Sequence, residues 1–193
     1  RGLLPHRLPR SAGIRGADPM MVMAATQPSG VRVVFRTTAR VVELETHGTK
    51  RTYAGTSPQP DGVYELTVDG VAAGSGTVPL GDVLRLDMMT GETLYEAGPS
   101  GRVRFADLTA GPKEIESWLP HGETTVLVAL HTDEPVLEPQ VSTRPRWVHH
   151  GSSISHGSNA THPTGTWPAV ASRMADVDLT NLGLGASALL DPL

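Results

Sequence analysis

The clearest pattern along the chain is an alternation of apolar and polar positions that begins near residue 30. In the first segment, VRVVFRT, the side chains of Val31, Val33 and Phe35 share one face. A period of two residues is typical of half-buried β-strands. Comparable segments follow along the chain: RVVELET, VYELTVDG, VAAGSGTV, VLRLDMM, RVRFADL, KEIESWL and TTVLVALHT. We therefore predict a β domain over residues 29–135.

Turn residues separate these segments at intervals of roughly ten residues, which is typical of an antiparallel β-sandwich or barrel. The chain has 21 Gly and 16 Pro but only three Trp, three Tyr and two Phe, a composition that favours many short elements over long helices. One turn is specific. VYELTVDG ends in Asp69-Gly70, a dipeptide suited to a tight hairpin, and VAAGSGTV would then be the returning strand.

Residues 1–28 show no sustained periodicity, and four arginines precede the first acidic residue, Asp18. Four prolines interrupt the same stretch. We predict an extended arm, solvated or loosely docked, in preference to a dedicated anion site, because charge runs of this kind are usually tails.

Beyond residue 135 the pattern changes. Residues 136–145 lie between Pro135 and the end of a proline-rich stretch and are predicted to be a linker. Residues 146–193 then contain a strand (RWVHH), a polar turn, a helix (TWPAVASRMA, with Thr166 as N-cap), a strand (VDLTNLGLG) and the start of a second helix (ASALLDPL). This order predicts a βαβ unit with parallel strands, as in a flavodoxin-like α/β/α domain.

The fold class predicted from the whole chain is therefore β plus α/β: an antiparallel β-sandwich followed by an incomplete flavodoxin-like domain. Only 48 residues are available for the second part. A single βαβ unit leaves both faces of its sheet half covered and cannot bury a core of its own. We therefore expect the sequence to be a fragment that ends inside its second domain.

Charge and composition narrow the classes of function. The net charge of −4 and the scattered basic residues offer no basic field for nucleic acid. No run approaches the roughly 20 apolar residues of a membrane helix, so no membrane partner is expected. The absence of cysteine excludes thiolate catalysis and Cys-ligated metals. We expect a cytoplasmic protein that needs no cofactor and whose oligomeric state is open.

The candidate chemistry lies in WVHHGSSISHGS, residues 147–158, where a short apolar strand runs into a turn rich in hydroxyl groups. In an open parallel sheet, ligands and catalytic groups gather at the carboxyl ends of the strands, which is where this turn is predicted to lie. A serine on such a bend is exposed and can attack an acyl carbon. The common elbow G-x-S-x-G is not matched, because Gly151, Ser153 and Ser155 give G-x-S-x-S.

GSSISHG, followed about thirty residues later by NLGLGASALLDP, resembles the first two sequence blocks of the GDSL/SGNH hydrolase family. The first block of that family has the form G-D-S-[IL]-[ST]-x-G, and its serine is the nucleophile. Gly151 matches the first glycine, Ser152 replaces the aspartate, and Ser153 falls on the nucleophile. The resemblance implies that Ser153 is the catalytic residue, supported by Gly151.

The second block of the family runs Asn-Leu-Gly-x-x-Gly, and its last glycine donates a backbone N–H to the oxyanion hole. Asn181 and Gly183 match as supporting residues, whereas Ala186, next to Gly185, occupies the position of the last glycine. The resemblance implies that the backbone N–H groups of Ser153, Gly185 and Ala186 form the oxyanion site. If Ala186 requires a positive φ, its methyl group costs about 1 kcal/mol or more and can misdirect the N–H.

The resemblance implies an esterase or acyltransferase that acts on a small acyl ester, such as an acetyl ester of a small molecule or a carbohydrate. The family takes a third oxyanion donor from an asparagine in a third block and its base from the histidine of a D-x-x-H block. Neither block occurs before Leu193. Ser153 without a base is a weak nucleophile, so we expect the fragment to be inactive.

The local histidines allow two further interpretations, a base for Ser153 or a zinc cluster. Successive strand residues face opposite sides, which argues against joint ligation of one ion by His149 and His150. His156 shares the turn with Ser153 and has no evident acid to orient it, which argues against a role as base. Histidines 149, 150, 156 and 162 are therefore expected to bond to backbone or water, and 121 and 131 to be surface or satisfied histidines of the β domain.

Several further segments each allow two interpretations. Trp147 and Trp167 are predicted to be packed beneath the serine turn, although they could instead line an acyl pocket. The acids of DMMTGETLYE are predicted to be hairpin polar residues and not a metal loop. The β domain could be a carbohydrate-binding or interaction module with a vestigial hydrolase part. GSSISHGS could be a phosphate cradle, but no lysine follows it.

Overall fold

The structure, a computed structural model, describes residues 2–8, 19–57 and 59–188. The predominance of β-structure that the sequence predicts is confirmed. The strands are β1 (Arg32–Thr37), β2 (Val42–Tyr53), β3 (Val63–Val68), β4 (Val71–Thr77), β5 (Asp82–Leu86), β6 (Thr93–Glu96), β7 (Gly101–Phe105), β8 (Lys113–Trp118), β9 (Thr124–Thr132), β10 (Arg146–Gly151) and β11 (Asp178–Gly183). The helices are α1 (Pro19–Ala25), α2 (Ser153–His156) and α3 (Trp167–Met174), with a 3₁₀ turn at Pro163–Gly165.

Strands β1 to β9 form what we call the two-sheet region. One sheet has the order β1-β8-β3-β4, and the other has the order β6-β5-β2-β7, with β9 also paired to β2. Alternate side chains of both sheets meet in a single apolar core because a period of two places them on the same face. That core consists of Phe35, Val42, Leu44, Tyr64, Leu66, Val78, Val103, Phe105, Leu108, Ile115 and Leu119.

The hairpin prediction at Asp69-Gly70 is confirmed. Val68 pairs with Val71, and the two turn residues have φ values of 49° and 79°. Two positive φ values are what a tight two-residue turn between twisted strands requires.

Two details of the strand prediction differ. β2 and β5 pair in parallel, because the chain leaves β2 for the other sheet and returns at β5 in the same direction. The alternation of VLRLDMM stops at Leu86, and β6 follows as an additional strand in the DMMTGETLYE segment. Asp87 accepts hydrogen bonds from the backbone N–H groups of Met89 and Thr90, so the acid is a hairpin residue as predicted.

The described parts of the N-terminal arm, residues 2–8 and 19–28, are docked, which corrects the prediction of a solvated or loosely attached arm for those residues. Leu3 exchanges two backbone hydrogen bonds with Leu127, each 2.8 Å long. Helix α1 replaces the expected extended chain, and buried residues of this helix pack against Leu184. Residues 1 and 9–18 of the predicted arm, with three of its four arginines, lie outside the described residues.

The predicted linker runs antiparallel beside β1 at one point, where Leu137 and Arg36 exchange backbone hydrogen bonds. The chain then enters what we call the serine-turn region, residues 146–188. Its strands β10 and β11 are parallel and place Gly151 opposite Gly183, as the βαβ pattern predicts. Thr166 is the N-cap of α3, also as predicted. The predicted second helix at ASALLDPL falls mostly outside the described residues.

Within the described ranges, no helix combines the length and the apolar composition that crossing a membrane requires.

Candidate active site

The serine turn begins where β10 ends. Ser153 is the first residue of α2, a single helical turn that ends at Gly157 with a φ of 85°. The backbone N–H of Gly157 donates to the carbonyl groups of Ser153 and Ile154. A left-handed C-cap of this kind favours glycine, because a side chain there would be strained. The turn is therefore fixed by the glycine that follows the hydroxyl-rich segment.

Two serines of the turn have contrasting surroundings. Ser153 is exposed, and no described residue forms a hydrogen bond with its Oγ. Ser155 is only 7% exposed, and its Oγ lies 2.8 Å from Nε2 of His149. The sequence predicts that His149 bonds to backbone or water, so its contact with Ser155 corrects that expectation. The accessible hydroxyl of the two is thus that of Ser153, while the Ser155 hydroxyl belongs to the packing below it.

Two glycines allow α2 to sit directly on the strand ends. A Cβ atom at Gly151 would overlap the side chain of Ser155. A Cβ atom at Gly183 would overlap the backbone of Ser155 and His156. Both glycines are among the supporting residues of the predicted site, and their role here is close approach of the backbone.

The segment after β11, residues 184–187, is here called the Ala186 loop. Three of its four backbone N–H groups are bonded: Leu184 donates to the Gly151 carbonyl, Gly185 to His156 Nδ1, and Ser187 to the Leu184 carbonyl. The exposed Ala186 has a φ of 62°, and no described residue accepts its N–H. Position 186 therefore requires the left-handed conformation. The Gly185 amide, predicted to be an oxyanion donor, is directed at His156 instead.

Asn181 connects the end of β11 to the serine turn. Its Nδ2 donates to the Ser155 carbonyl at 2.9 Å and to Ser29 Oγ at 3.0 Å. Its Oδ1 accepts the backbone N–H of Gly183 at 2.8 Å. A buried amide that satisfies three partners fixes their relative positions, because each unmade bond would leave a buried polar group unpaired.

His156 lies inside the fold and is 2% exposed. Its Nε2–H donates to the His121 carbonyl at 2.7 Å, and its Nδ1 accepts the Gly185 N–H at 3.3 Å. Burial, and secondarily the charge of Arg7, lowers the pKa of His156 to about 4. The imidazole is therefore neutral at physiological pH, and both of its nitrogens are already bonded. It does not serve Ser153 as a base.

Arg7 is a residue of this site that the sequence does not indicate. Its Nη1 donates to the carbonyl groups of Asn181 and Gly183 at 3.1 and 2.6 Å. Its Nη2 donates to the Ala24 carbonyl at 2.6 Å and to His156 Nδ1 at 3.2 Å. The only sequence signal is an arginine in a stretch otherwise typical of a tail.

A cleft of about 260 Å³ opens beside Ser153. Gly165 and Trp167 also line it. Trp167 is 42% exposed, so it lies at the surface of the cleft and not beneath the loop as predicted. Trp147 does pack against a buried cluster, and it forms a three-ring cluster with His149 and Trp167: the His149 ring centroid lies 5.1 Å from that of Trp147 and 4.7 Å from that of Trp167, and the two indoles are 6.1 Å apart.

The remaining candidate histidines link the two regions of the chain. His121 Nε2 donates to the Ala160 carbonyl at 3.1 Å, and His162 Nδ1 lies 3.0 Å from Glu65 of β3. His150 is exposed at the end of β10. In the described part of the chain, no three His, Asp or Glu side chains come together in a metal-binding group.

Neither a protein-family model nor a curated protein sequence matches this chain. Solved structures do match it. A salicylyl-acyltransferase, SsfX3, from a tetracycline biosynthetic pathway has a TM-score of 0.75 and 26% identity, over 96% of this chain and 48% of its own. A protein assigned as a GDSL-like lipase from Bacteroides ovatus has a TM-score of 0.73 and 20% identity, over 99% of this chain and 53% of its own.

A family two carbohydrate esterase from Clostridium thermocellum, solved in complex with cellohexaose, also matches, with a TM-score of 0.53 and 12% identity over 78% of this chain and 43% of its own. The chain thus spans about half the length of the structures it resembles. The resemblance inferred from GSSISHG and NLGLGASALLDP is confirmed: the chain has a GDSL/SGNH hydrolase-like fold.

Proposed function

We propose that the protein is a serine esterase or acyltransferase that acts on small acyl esters, with Ser153 as its nucleophile. The observation that carries the proposal is a pair of free groups at one edge of a parallel sheet. The Ser153 hydroxyl is exposed without a hydrogen-bond partner among the described residues, and so is the Ala186 N–H of the adjoining loop. Acyl transfer requires a nucleophile within reach of a backbone donor, and we propose that these two groups serve together in that way.

In the proposed reaction, Ser153 Oγ attacks the acyl carbon and loses its proton to a base. The carbonyl oxygen becomes an oxyanion and accepts hydrogen bonds from the backbone N–H groups of Ser153 and Ala186. Collapse of this intermediate breaks the bond to the alcohol, which leaves with the proton. Water, or a second alcohol, then attacks the acyl-serine and regenerates the hydroxyl. None of these steps needs a metal or cofactor.

We further propose that the base and a third oxyanion donor come from residues outside these 193. His149 is committed to Ser155 and His156 to its buried bonds. His150 is exposed and, as the neighbour of His149 in a strand, faces the other side of the sheet. A serine without a base is a poor nucleophile at neutral pH. The 193-residue chain alone is therefore expected to lack turnover, whereas the complete gene product is expected to have it.

The proposed organisation follows the predicted boundaries. Residues 29–135 would form a β-sandwich domain, residues 136–145 a linker, and residues 146–193 the start of a flavodoxin-like α/β/α domain. The two sheets that share one core support the first assignment. The parallel pair β10–β11 with α3 between its strands supports the last. The cleft between Ser153 and Trp167 would receive the acyl group.

A carbohydrate-binding β domain is less well supported. A sugar platform needs exposed aromatic rings. In the two-sheet region the side chains of Phe35, Tyr64, Phe105 and Trp118 are buried, and Tyr95 is the largely exposed aromatic residue.

The test is hydrolysis of p-nitrophenyl acetate by the complete gene product and by its Ser153→Ala variant. We expect turnover to fall by about 10³-fold or more when the nucleophile is removed. Ser152→Ala, an exposed serine one residue away, is the matched control and should retain activity within a few-fold. Equal rates for wild type and Ser153→Ala would refute the assignment.

A further inference from the structure

Arg7 brings a positive charge from the N-terminal segment to the far side of the serine turn. It is partly exposed as a residue, but its Nε atom is enclosed and has no partner. The other four N–H donors of the guanidinium meet four acceptors on three different segments. None of these acceptors is a carboxylate, and no ion pair in the described part of the chain includes Arg7. Charge pairing within the described residues therefore does not explain its position.

We propose that Arg7 is a positioning residue of the active site, which aims the Ala186 loop at Ser153 by holding the end of β11 and the imidazole of His156. This inference rests on the proposed function, because it assigns a catalytic purpose to the loop. The residue does not contact the reacting atoms and acts through the backbone and through His156.

The first set of Arg7 hydrogen bonds is to β11. The carbonyl groups of Asn181 and Gly183 lie on the same edge of the strand and both accept from Nη1. The Ala186 loop begins at the next residue. Because a guanidinium is planar and its donors have a fixed geometry, two bonds to one nitrogen restrict both the position and the twist of the strand end.

The second contact of Arg7 is its hydrogen bond to His156. Its Nδ1 faces two donors, the Arg7 guanidinium and the Gly185 N–H, so it must be unprotonated. The proton is then on Nε2, directed at the His121 carbonyl. Protonation of Nδ1 would remove the acceptor of Gly185, the residue immediately before Ala186. The positive charge of Arg7 opposes that protonation.

A plain structural tether is the competing explanation, because Arg7 also holds the Ala24 carbonyl of α1. A tether would contribute to stability only. A positioning residue would in addition set the protonation state of His156 and the protection of the Gly185 amide. These two properties can be measured without any esterase activity.

The first experiment uses NMR on the 193-residue chain and its Arg7→Met and Arg7→Lys variants. In wild type we expect the Nε2–H tautomer of His156 and a slowly exchanging Gly185 amide. In Arg7→Met we expect the His156 pKa to rise by about one pH unit, since a nearby like charge is lost, and the Gly185 amide to exchange about 10-fold faster. His121 and Arg51 also act on His156, and both are unchanged in these variants.

Arg7→Lys separates the contact with β11 from the contact with His156. Lysine keeps the charge but lacks the planar fork. We expect the His156 pKa to stay low while the Gly185 amide still loses protection. If Arg7→Met does not fold, Arg7→Lys alone decides whether Arg7 positions the Ala186 loop. Arg85→Met, which removes an exposed arginine of β5 far from the turn, is the matched control and should change neither property.

The second experiment measures p-nitrophenyl acetate hydrolysis by the complete gene product. For Arg7→Lys we expect kcat to fall about 10-fold or more with KM within about two-fold, because a misaimed oxyanion donor affects the transition state and not the bound substrate. Added guanidinium ion should partly restore kcat in Arg7→Ala.

The outcomes separate this inference from the proposed function. Unchanged NMR properties and an unchanged kcat in the Arg7 variants would overturn the positioning role, while Ser153-dependent hydrolysis would still stand. Absence of Ser153-dependent hydrolysis would overturn the proposed function. In that case the NMR results would still show whether Arg7 fixes the Ala186 loop.

Discussion

The two-sheet region and the serine-turn region are held together in different ways. The two-sheet region buries eleven apolar side chains in one core to which both sheets contribute. The serine-turn region has, among the described residues, only two small clusters: Ala169 and Leu179 pack with Trp118 of β8, and Leu184 packs against α1. It is also held by a set of hydrogen-bonded residues that we call the polar seam: Arg7, Ser29, His121, His156 and Asn181.

The polar seam differs from the apolar core in what it can contribute. Apolar burial is non-directional and supplies most of the stabilising free energy of a domain. Hydrogen bonds contribute about 1 kcal/mol each but fix orientation. In the seam, Ser29 Oγ donates to the His156 carbonyl at 2.6 Å, and Asn181 donates to Ser29 and to the Ser155 carbonyl. The turn that carries the candidate nucleophile is thus oriented by hydrogen bonds from segments distant in sequence. The two-sheet core supports those segments.

The largest effect expected from this contrast is on the core. Ile115 is fully buried between the sheets, so Ile115→Ala should destabilise the whole chain by about 3 kcal/mol. Leu179→Ala removes a side chain of similar size from its small cluster and should loosen the serine-turn region alone. Denaturant unfolding would measure the first effect, and amide exchange of β3 and β11 would resolve the second.

In this experiment the two-sheet region serves as the internal control. Amides of β3 should keep their protection in Leu179→Ala while those of β11 lose it. If both regions lose protection equally in Leu179→Ala, the serine-turn region is as much a part of the global core as the sheets are, and the contrast between the two regions is wrong.

The sequence is most informative where structure is local. A period of two fixes which face of a strand is buried, and Asp69-Gly70 fixes a turn, so strands and hairpin are predictable. The parallel pairing of β2 with β5 is not, because it depends on which sheet the intervening strands join. The helix α1 is missed because seven residues of PMMVMAA carry no amphipathic period and lie in a proline-rich stretch.

The candidate site shows the same division. Ser153, Asn181, Gly183 and Ala186 can be selected from two short motifs, and the structure brings their segments together. Arg7 cannot be selected, because three of its four partners are backbone carbonyl groups 17 to 176 positions away and the fourth is a buried imidazole, none of which leaves a trace in composition. The hydrogen bond from the Gly185 N–H to His156 likewise depends on the tautomer of a buried imidazole, which only packing determines.

A smaller effect is expected from a buried acid beside the seam. Glu123 is 4% exposed, and its carboxylate accepts the Gly62 N–H at 3.2 Å. Burial raises its pKa to about 7 from an ordinary 4.5. The folded state therefore binds the proton more tightly than the unfolded state, and the stability that this group contributes is lost as pH rises through about 7.

Glu123→Gln cannot ionise. The difference in unfolding free energy between this variant and wild type should shift in favour of the variant by about 2 kcal/mol from pH 5 to pH 8. Urea unfolding at the two pH values measures the difference. Glu92→Gln, an exposed acid in the β5–β6 hairpin, controls for the loss of a charge. A Glu123→Gln effect that is the same at both pH values would show that the carboxyl group is not held neutral by burial.

The smallest effect is expected where the two regions meet at Glu65. Its Oε2 accepts the Thr164 N–H at 2.9 Å and lies 3.0 Å from His162 Nδ1, so a residue of β3 fixes the 3₁₀ turn beside the cleft. Burial alone would raise the pKa of Glu65, but the bonds from Thr164 and His162 outweigh it and lower the pKa. The stabilisation is therefore lost as pH falls through the folded-state value.

Glu65→Gln should cost about 1 kcal/mol at neutral pH, and the cost should shrink in acid, where the wild-type carboxylate is protonated. The Thr164 amide should exchange about five-fold faster at neutral pH. Glu96→Gln breaks an exposed ion pair with Arg85 and should stay within about 0.5 kcal/mol of wild type. If both variants cost the same, the junction at Glu65 is no stronger than a surface ion pair. The cleft would then depend on the polar seam and the two small clusters for its position on the two-sheet region.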